Sequence, residues 1–164
     1  MSDIVELRKN TQSSMNFMGA LASGIEHSIG GPANSMAYVA GKKLGKRFSK
    51  DAPKTQDIQQ ALEAVHQVLM DNHCLWHFEP FQPKQRPQLI ESTEDGDELY
   101  LVFRDCMIRQ SLFSFGHHQK GSLCNMMFGF FAGALENIMG KRSQLKIEHA
   151  GENACLKKLI IHHD

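Results

Sequence analysis

The sequence predicts an α+β fold in which an antiparallel sheet packs against helices. Three observations carry this. The first seventy or so residues hold apolar positions at helical spacing, with no strand alternation among them. Residues 89–106 read as two apolar runs joined by "EDGD", and Asp-Gly between such runs is a strong hairpin signal. The chain closes on "SQLKIEHAG" and "ACLKKLII", which alternate about a "GEN" turn. Strands clustered apart from helices give antiparallel pairing rather than a βαβ array.

Taken in order, Met15, Met18, Leu21, Ala22 and Ile25 share one face of a helix over about 3–29. "GGP" at 30–32 stops it, and Pro32 suits the first turn of a second helix, reaching about 49, where its missing N–H costs nothing. In that helix Ala37, Gly41 and Gly45 form a small-residue stripe at intervals of four. Interior glycine costs roughly 1 kcal/mol relative to alanine, so the stripe implies another backbone lying close to it. After "DAPKT" (51–55) a third helix, about 56–71, sets Ile58, Ala61, Leu62, Val65, Val68 and Leu69 on one face. "HCLWHFEPF" (73–81) reads as a strand and the proline-rich 80–88 as loop or edge. The stretch 107–121 is ambiguous, a short helix followed by a loop. "LCNMMFGFFAGALENIMG" (123–140) is a helix from about 122 to 139, with Gly140 as its C-cap.

Composition narrows the function. The chain has 164 residues, enough for one domain with a substantial core, and its formal net charge is zero. That balance argues against a nucleic-acid partner. The basic run Lys42, Lys43, Lys46, Arg47 and Lys50 reads either as a solvated helix end complementing the macrodipole or as an anion patch. No apolar run is long enough to span a membrane, and no export signal is visible. Without a CxxC pair, Cys74, Cys106, Cys124 and Cys155 read as free thiols of a cytoplasmic protein. The phosphate-loop, dinucleotide and nucleophile-elbow motifs are absent, so no catalytic residue can be named.

The helix beginning at Ser122 raises the sharper question. Leu123, Met126, Met127, Phe130, Phe131, Ala134, Leu135 and Ile138 make a core stripe, and Phe128 and Ala132 extend apolarity around it. Gly129 and Gly133 mark either close packing or room for a ligand. Cys124 sits in the first turn, where the helix N-terminus lowers a thiol pKa, although a small apolar filler is the plainer role.

The forty residues "SLCNMMFGFFAGALENIMGKRSQLKIEHAGENACLKKLII" resemble the C-terminal half of the 4-vinyl reductase domain family. The shared pattern is a cysteine opening a glycine-containing apolar helix, then G-[KR]-x, a strand ending in Glu, and a cysteine-bearing hairpin. The resemblance implies the fold of the TRAPP vesicle-tethering subunits and kinship with sensory domains of aromatic-responsive transcription activators. It implies a small apolar or aromatic ligand, held between the sheet and the Cys124 helix by Trp76, His77, Phe103, Phe113, Phe128, Gly129 and Phe131. Trp76 and His77 alternate, so they fall on opposite faces, and Trp76 serves equally well as plain core. The resemblance also implies zinc held by Cys124, Glu148 and Cys155, but Gly151 stands where the fourth ligand belongs. Alternatives it leaves open are a TRAPP-like interaction scaffold without ligand and an accessory role in tetrapyrrole vinyl reduction.

Among the nine histidines, His73 and His77 share a face of the predicted strand but stand about 13 Å apart at the ~3.3 Å rise per residue. His117 and His118 fall in a polar loop. The expected organisation is a single domain, with residues 1–50 supplying N-terminal helices for a homodimer contact and 55–164 forming the ligand-binding core. The Ala37, Gly41, Gly45 stripe, flanked by Tyr38, Leu44 and Phe48, is expected at that contact.

Overall fold

The computed structural model describes residues 2–74, 76–104, 106, 108–109, 119–151 and 153–163. Helix α1 (Ser2–Ile29) ends where Gly30 adopts φ 64°, and α2 (Pro32–Phe48) follows after a single turn. Helix α3 (Ile58–Asp71) is capped by Asp57, whose carboxylate accepts from the Gln60 N–H at 2.8 Å. Strands β1 (His77–Phe81), β2 (Glu91–Ser92) and β3 (Gly96–Arg104) precede α4 (Ser122–Met139), and β4 (Ser143–Ala150) and β5 (Ala154–His162) close the chain. The α+β reading therefore holds. The sheet is antiparallel, in the order β1-β3-β5-β4, with β2 paired to β3.

The strand expected from residue 73 begins only at His77. His73 instead has φ 54° and its N–H bonds back to Met70 O, so it belongs to the turn that ends α3. The hairpin at "EDGD" is present, with Glu91 opposite Glu98 and Ser92 opposite Asp97. Gly140 caps α4 in the left-handed region at φ 74°, its N–H bonding to Glu136 O.

Helix α4 lies between the sheet and α2, and for that reason it is apolar around most of its circumference. Phe131 meets Phe103 of β3 with ring centroids 5.4 Å apart. On its other side α4 meets α2 through glycines. A Cβ at Gly41 or Gly45 would run into the backbone carbonyl of Met126 or Phe130, and one at Gly129 or Gly133 into that of Tyr38 or Lys42. Each helix thus sets its small residues against the other's backbone, and the approach is closer than ordinary side chains allow. Glu136 clamps the far end of the seam, meeting Lys42 at 2.6 Å and Lys46 at 2.5 Å.

This packing corrects two expectations. The Gly41, Gly45 stripe does not face a second copy, because α4 of the same chain already covers it. The room beside Gly129 is taken by α2 rather than left for a ligand. The proline-rich loop is tied to the outer sheet face by Arg86, which pairs with Glu91 at 3.1 Å and Glu98 at 3.4 Å and stacks 4.4 Å over the Tyr100 ring.

Gly129→Leu and Gly41→Leu are each expected to cost at least about 3 kcal/mol, the upper end of overpacking, since backbone cannot rotate aside. Ala40→Leu, on the exposed side of α2, is expected within about 0.5 kcal/mol of wild type. Urea unfolding of the three variants checks this, and a folded Gly41→Leu protein of wild-type stability would contradict the described seam.

Candidate functional site

Alternation along β3 and β5 sends one set of side chains toward α4. On β3 these are Leu99, Leu101 and Phe103, all almost fully buried. Across the ladder they meet Leu159, Lys157 and Cys155 in turn. A lysine therefore stands in the middle of the buried sheet face, opposite Leu101 on one side and Ile147 of β4 on the other. Lys157 is only 2% exposed. Its Nζ lies 3.8 Å from the centroid of the Phe103 ring and 2.8 Å from Met127 Sδ. Burial drives its pKa below the usual lysine range, and the nearby Cys106, Cys124 and Cys155 thiols oppose that drift only in part.

Lys157, Cys106, Cys124 and Cys155 line one enclosed cavity of about 20 Å³, with Ile108, Met127 and Ile147 supplying apolar wall and Arg109 and Gln119 also bordering it. Cys124 reaches the cavity from the first turn of α4. That turn is held by Glu26 of α1, whose carboxylate accepts from the N–H of Ser122 at 2.7 Å and from its hydroxyl. The helix N-terminus does not win at the thiol. Burial pushes the Cys124 pKa up, as it does for Cys106 and Cys74, so Cys124 is held as a neutral thiol and not as the activated one its position suggested.

The aromatic residues named from the sequence are only partly brought together. Phe103 and Phe131 are in contact, and Phe78 joins them at 5.5 and 5.2 Å. Trp76 is buried but packs on Phe130, at 5.6 Å, a step along α4 from that cluster. His77 is exposed, as the alternation required. Phe128 is half-buried, with its ring centroid 5.8 Å from Lys157 Nζ. Gly129 faces α2. Phe113, His117 and His118 lie outside the described residues. Sequence reasoning placed Phe130 in the core, where it lies, but missed Phe78 and above all Lys157, although residue parity on β5 groups Lys157 with Cys155, Leu159 and Ile161.

The zinc set is not assembled. Glu148 is exposed, at the point where a bulge between Ile147 and His149 shifts the β4 register, whereas Cys124 and Cys155 border the interior cavity. The interior group beside those thiols is a lysine amine in place of a carboxylate or imidazole donor. Among the described residues, no three His, Cys, Asp or Glu side chains come together in a way that could hold a metal ion. The described side chains beside Cys124 and Cys155 do not make a zinc set.

A second concavity, of about 220 Å³, lies on the opposite side of α4, where α1 and α2 diverge. It is lined chiefly by Met18, Leu21, Ile25, Met36 and Met126. Phe17, Leu21, Met36 and Val39 stand exposed around it. No helix among the described residues is long and apolar enough to cross a membrane.

Among solved structures, the fold is shared with the crystal structure of the phenol-responsive sensory domain of the transcription activator PoxR with phenol. The TM-score is 0.66 at 11% identity, covering 89% of this chain and 74% of that one. No family model matches the chain, and no curated protein matches it. The likeness establishes the fold, an antiparallel sheet against helices.

Replacing Lys157 by methionine removes a buried amine of similar length and is expected to stabilise the protein at pH 7 by about 1–3 kcal/mol. The sign of the pH dependence follows from the lowered pKa. Between the folded pKa and the unfolded value near ~10.4, the unfolded chain holds a proton that the folded chain lacks, so wild-type stability rises with pH there. The advantage of Lys157→Met is therefore expected to shrink as pH rises from 7 toward 10, with Cys106 and Cys124 present in both proteins. Urea midpoints at the two pH values measure it, and a pH-independent gap would refute the buried-amine account.

Proposed function

We propose that this domain binds a small apolar or aromatic molecule and acts as a carrier or sensor, in the manner of the 4-vinyl reductase-like sensory domains. The observation that carries the reading is the fold shared over 89% of the chain with a domain described as phenol-responsive. The interior adds chemical support. Phe78, Phe103 and Phe131 form an aromatic cluster whose Phe103 ring touches Lys157, and Lys157 lines a small cavity with apolar Ile108, Met127 and Ile147 and a few polar groups, a mix that suits small-molecule recognition. At about 20 Å³ the cavity takes little more than a water, so an aromatic guest requires Met127 and its neighbours to move aside.

The filled aromatic seam favours a second reading, a TRAPP-like interaction scaffold that needs no ligand. One assay separates the two. A panel of phenols, benzoates and alkylbenzenes is expected to include compounds that raise the melting temperature of the wild-type protein, with native mass spectrometry showing one ligand per chain. Uniformly flat melting curves, together with a stable protein partner in pull-downs, would reject ligand binding in favour of the scaffold.

We further propose a homodimer through the N-terminal helices, with residues 55–164 as the ligand-binding core. The contact is the exposed apolar face of α1 and the outer side of α2, carrying Phe17, Leu21, Met36 and Val39, and not the glycine stripe. Twofold pairing lets one patch serve both copies. Light scattering at micromolar concentration is expected to give twice the 18.5 kDa chain mass, and Phe17→Glu with Val39→Glu to give one chain mass at unchanged helicity. A wild-type protein that stays at one chain mass on concentration would refute the dimer.

A further inference from the structure

A lysine in the middle of a buried sheet face is costly to keep, because its nitrogen loses water without regaining equivalent partners. Ion pairs among the described residues join other groups. Lys157 Nζ instead touches a thioether and the face of Phe103, and these also keep water from it. Lys157 lines the small cavity together with three thiols, the apolar side chains of Ile108, Met127 and Ile147, and Arg109 and Gln119. Lys157 is thus a nucleophile bordering a small interior cavity, with no carboxylate among the described residues holding it in a salt bridge.

We propose that this cavity is a covalent site for a small carbonyl compound, held at Lys157 Nζ as an imine. The proposal rests on the small-molecule reading above and names a ligand class for it. The nitrogen lone pair attacks the carbonyl carbon, a C–N bond forms, and the C=O π pair moves to oxygen. One amine proton passes to that oxygen, giving a carbinolamine. The C–O bond then breaks, the second amine proton leaves with the oxygen as water, and C=N remains. Amine and carbonyl compound become imine and water, with no oxidant or reductant.

A carbonyl compound sheds its polar oxygen as water, so what stays in the cavity is carbon against thiol, thioether and ring. The volume of about 20 Å³ limits that remainder to a few atoms.

The test uses the wild-type protein and two probes, acetaldehyde and pyruvate. Each is incubated with the protein and removed by rapid gel filtration, and only then is cyanoborohydride added. Imines on exposed lysines hydrolyse during the filtration, whereas one shielded from water persists to be reduced. Peptide mapping is expected to place the adduct on Lys157 at least about tenfold above exposed Lys43 and Lys50, with urea before the probe abolishing the preference. Lys157→Met, checked for native circular dichroism, is expected to lose the protected adduct. Trapping with either probe supports the site. Lys157 labelled no more than the exposed lysines by both probes would overturn it, even if aromatic compounds still raised the melting temperature. Flat melting curves with a trapped Lys157 adduct would reject the aromatic ligand and leave the carbonyl site standing.

Discussion

Two helix backbones in contact organise this protein. Gly41 and Gly45 of α2 and Gly129 and Gly133 of α4 each lie where a Cβ would enter the other helix's carbonyls. Each glycine costs its own helix roughly 1 kcal/mol relative to alanine. The return is an interhelix distance short enough for α4 to be covered by α2 on one side while its Phe131 side reaches the sheet. Glu136 with Lys42 and Lys46 fixes the axial position of the pair, although exposed ion pairs of this kind add only modestly to stability. Because α4 is covered on both sides, its N-terminal turn and Cys124 are carried inward to the cavity.

The second constraint is the parity of β5. Once Leu159 and Ile161 face the helices, the period of two obliges Lys157 and Cys155 to face them as well. The bulge in β4 acts in the opposite direction. It leaves Glu148 exposed and breaks the geometry by which a strand carboxylate would meet the two thiols. The place that the family resemblance assigned to a metal is therefore held by an amine, with desolvation raising the Cys106 and Cys124 thiols and lowering the lysine. These shifts favour neutral groups throughout, the state an apolar interior tolerates best.

Much of this was legible in the amino-acid sequence. Helix and strand periods, the Pro32 start, the Asp-Gly turn and the Gly140 cap are local signals, each set by a few neighbouring residues, and they placed nearly every element and the α+β class. The same local chemistry marked Cys124 and the glycines as unusual and Trp76 and His77 as opposed. Local signals went astray where a distant segment decided the outcome. The run from His73 looked like strand because its residues suit one, but the exit from α3 required a left-handed residue there. Glycine stripes announce a close neighbour without naming it, and only the folded chain shows that α2 and α4 are that neighbour for each other. The thiol at a helix N-terminus promised a lowered pKa, but the depth of burial, set by residues distant in sequence such as Cys155 and Lys157 of β5, reversed it. Lys157 was the hardest to read, since a lysine in a strand is ordinarily taken for the wet face. Its burial follows from the pairing of three strands beneath one helix, a long-range arrangement that no short stretch of sequence contains.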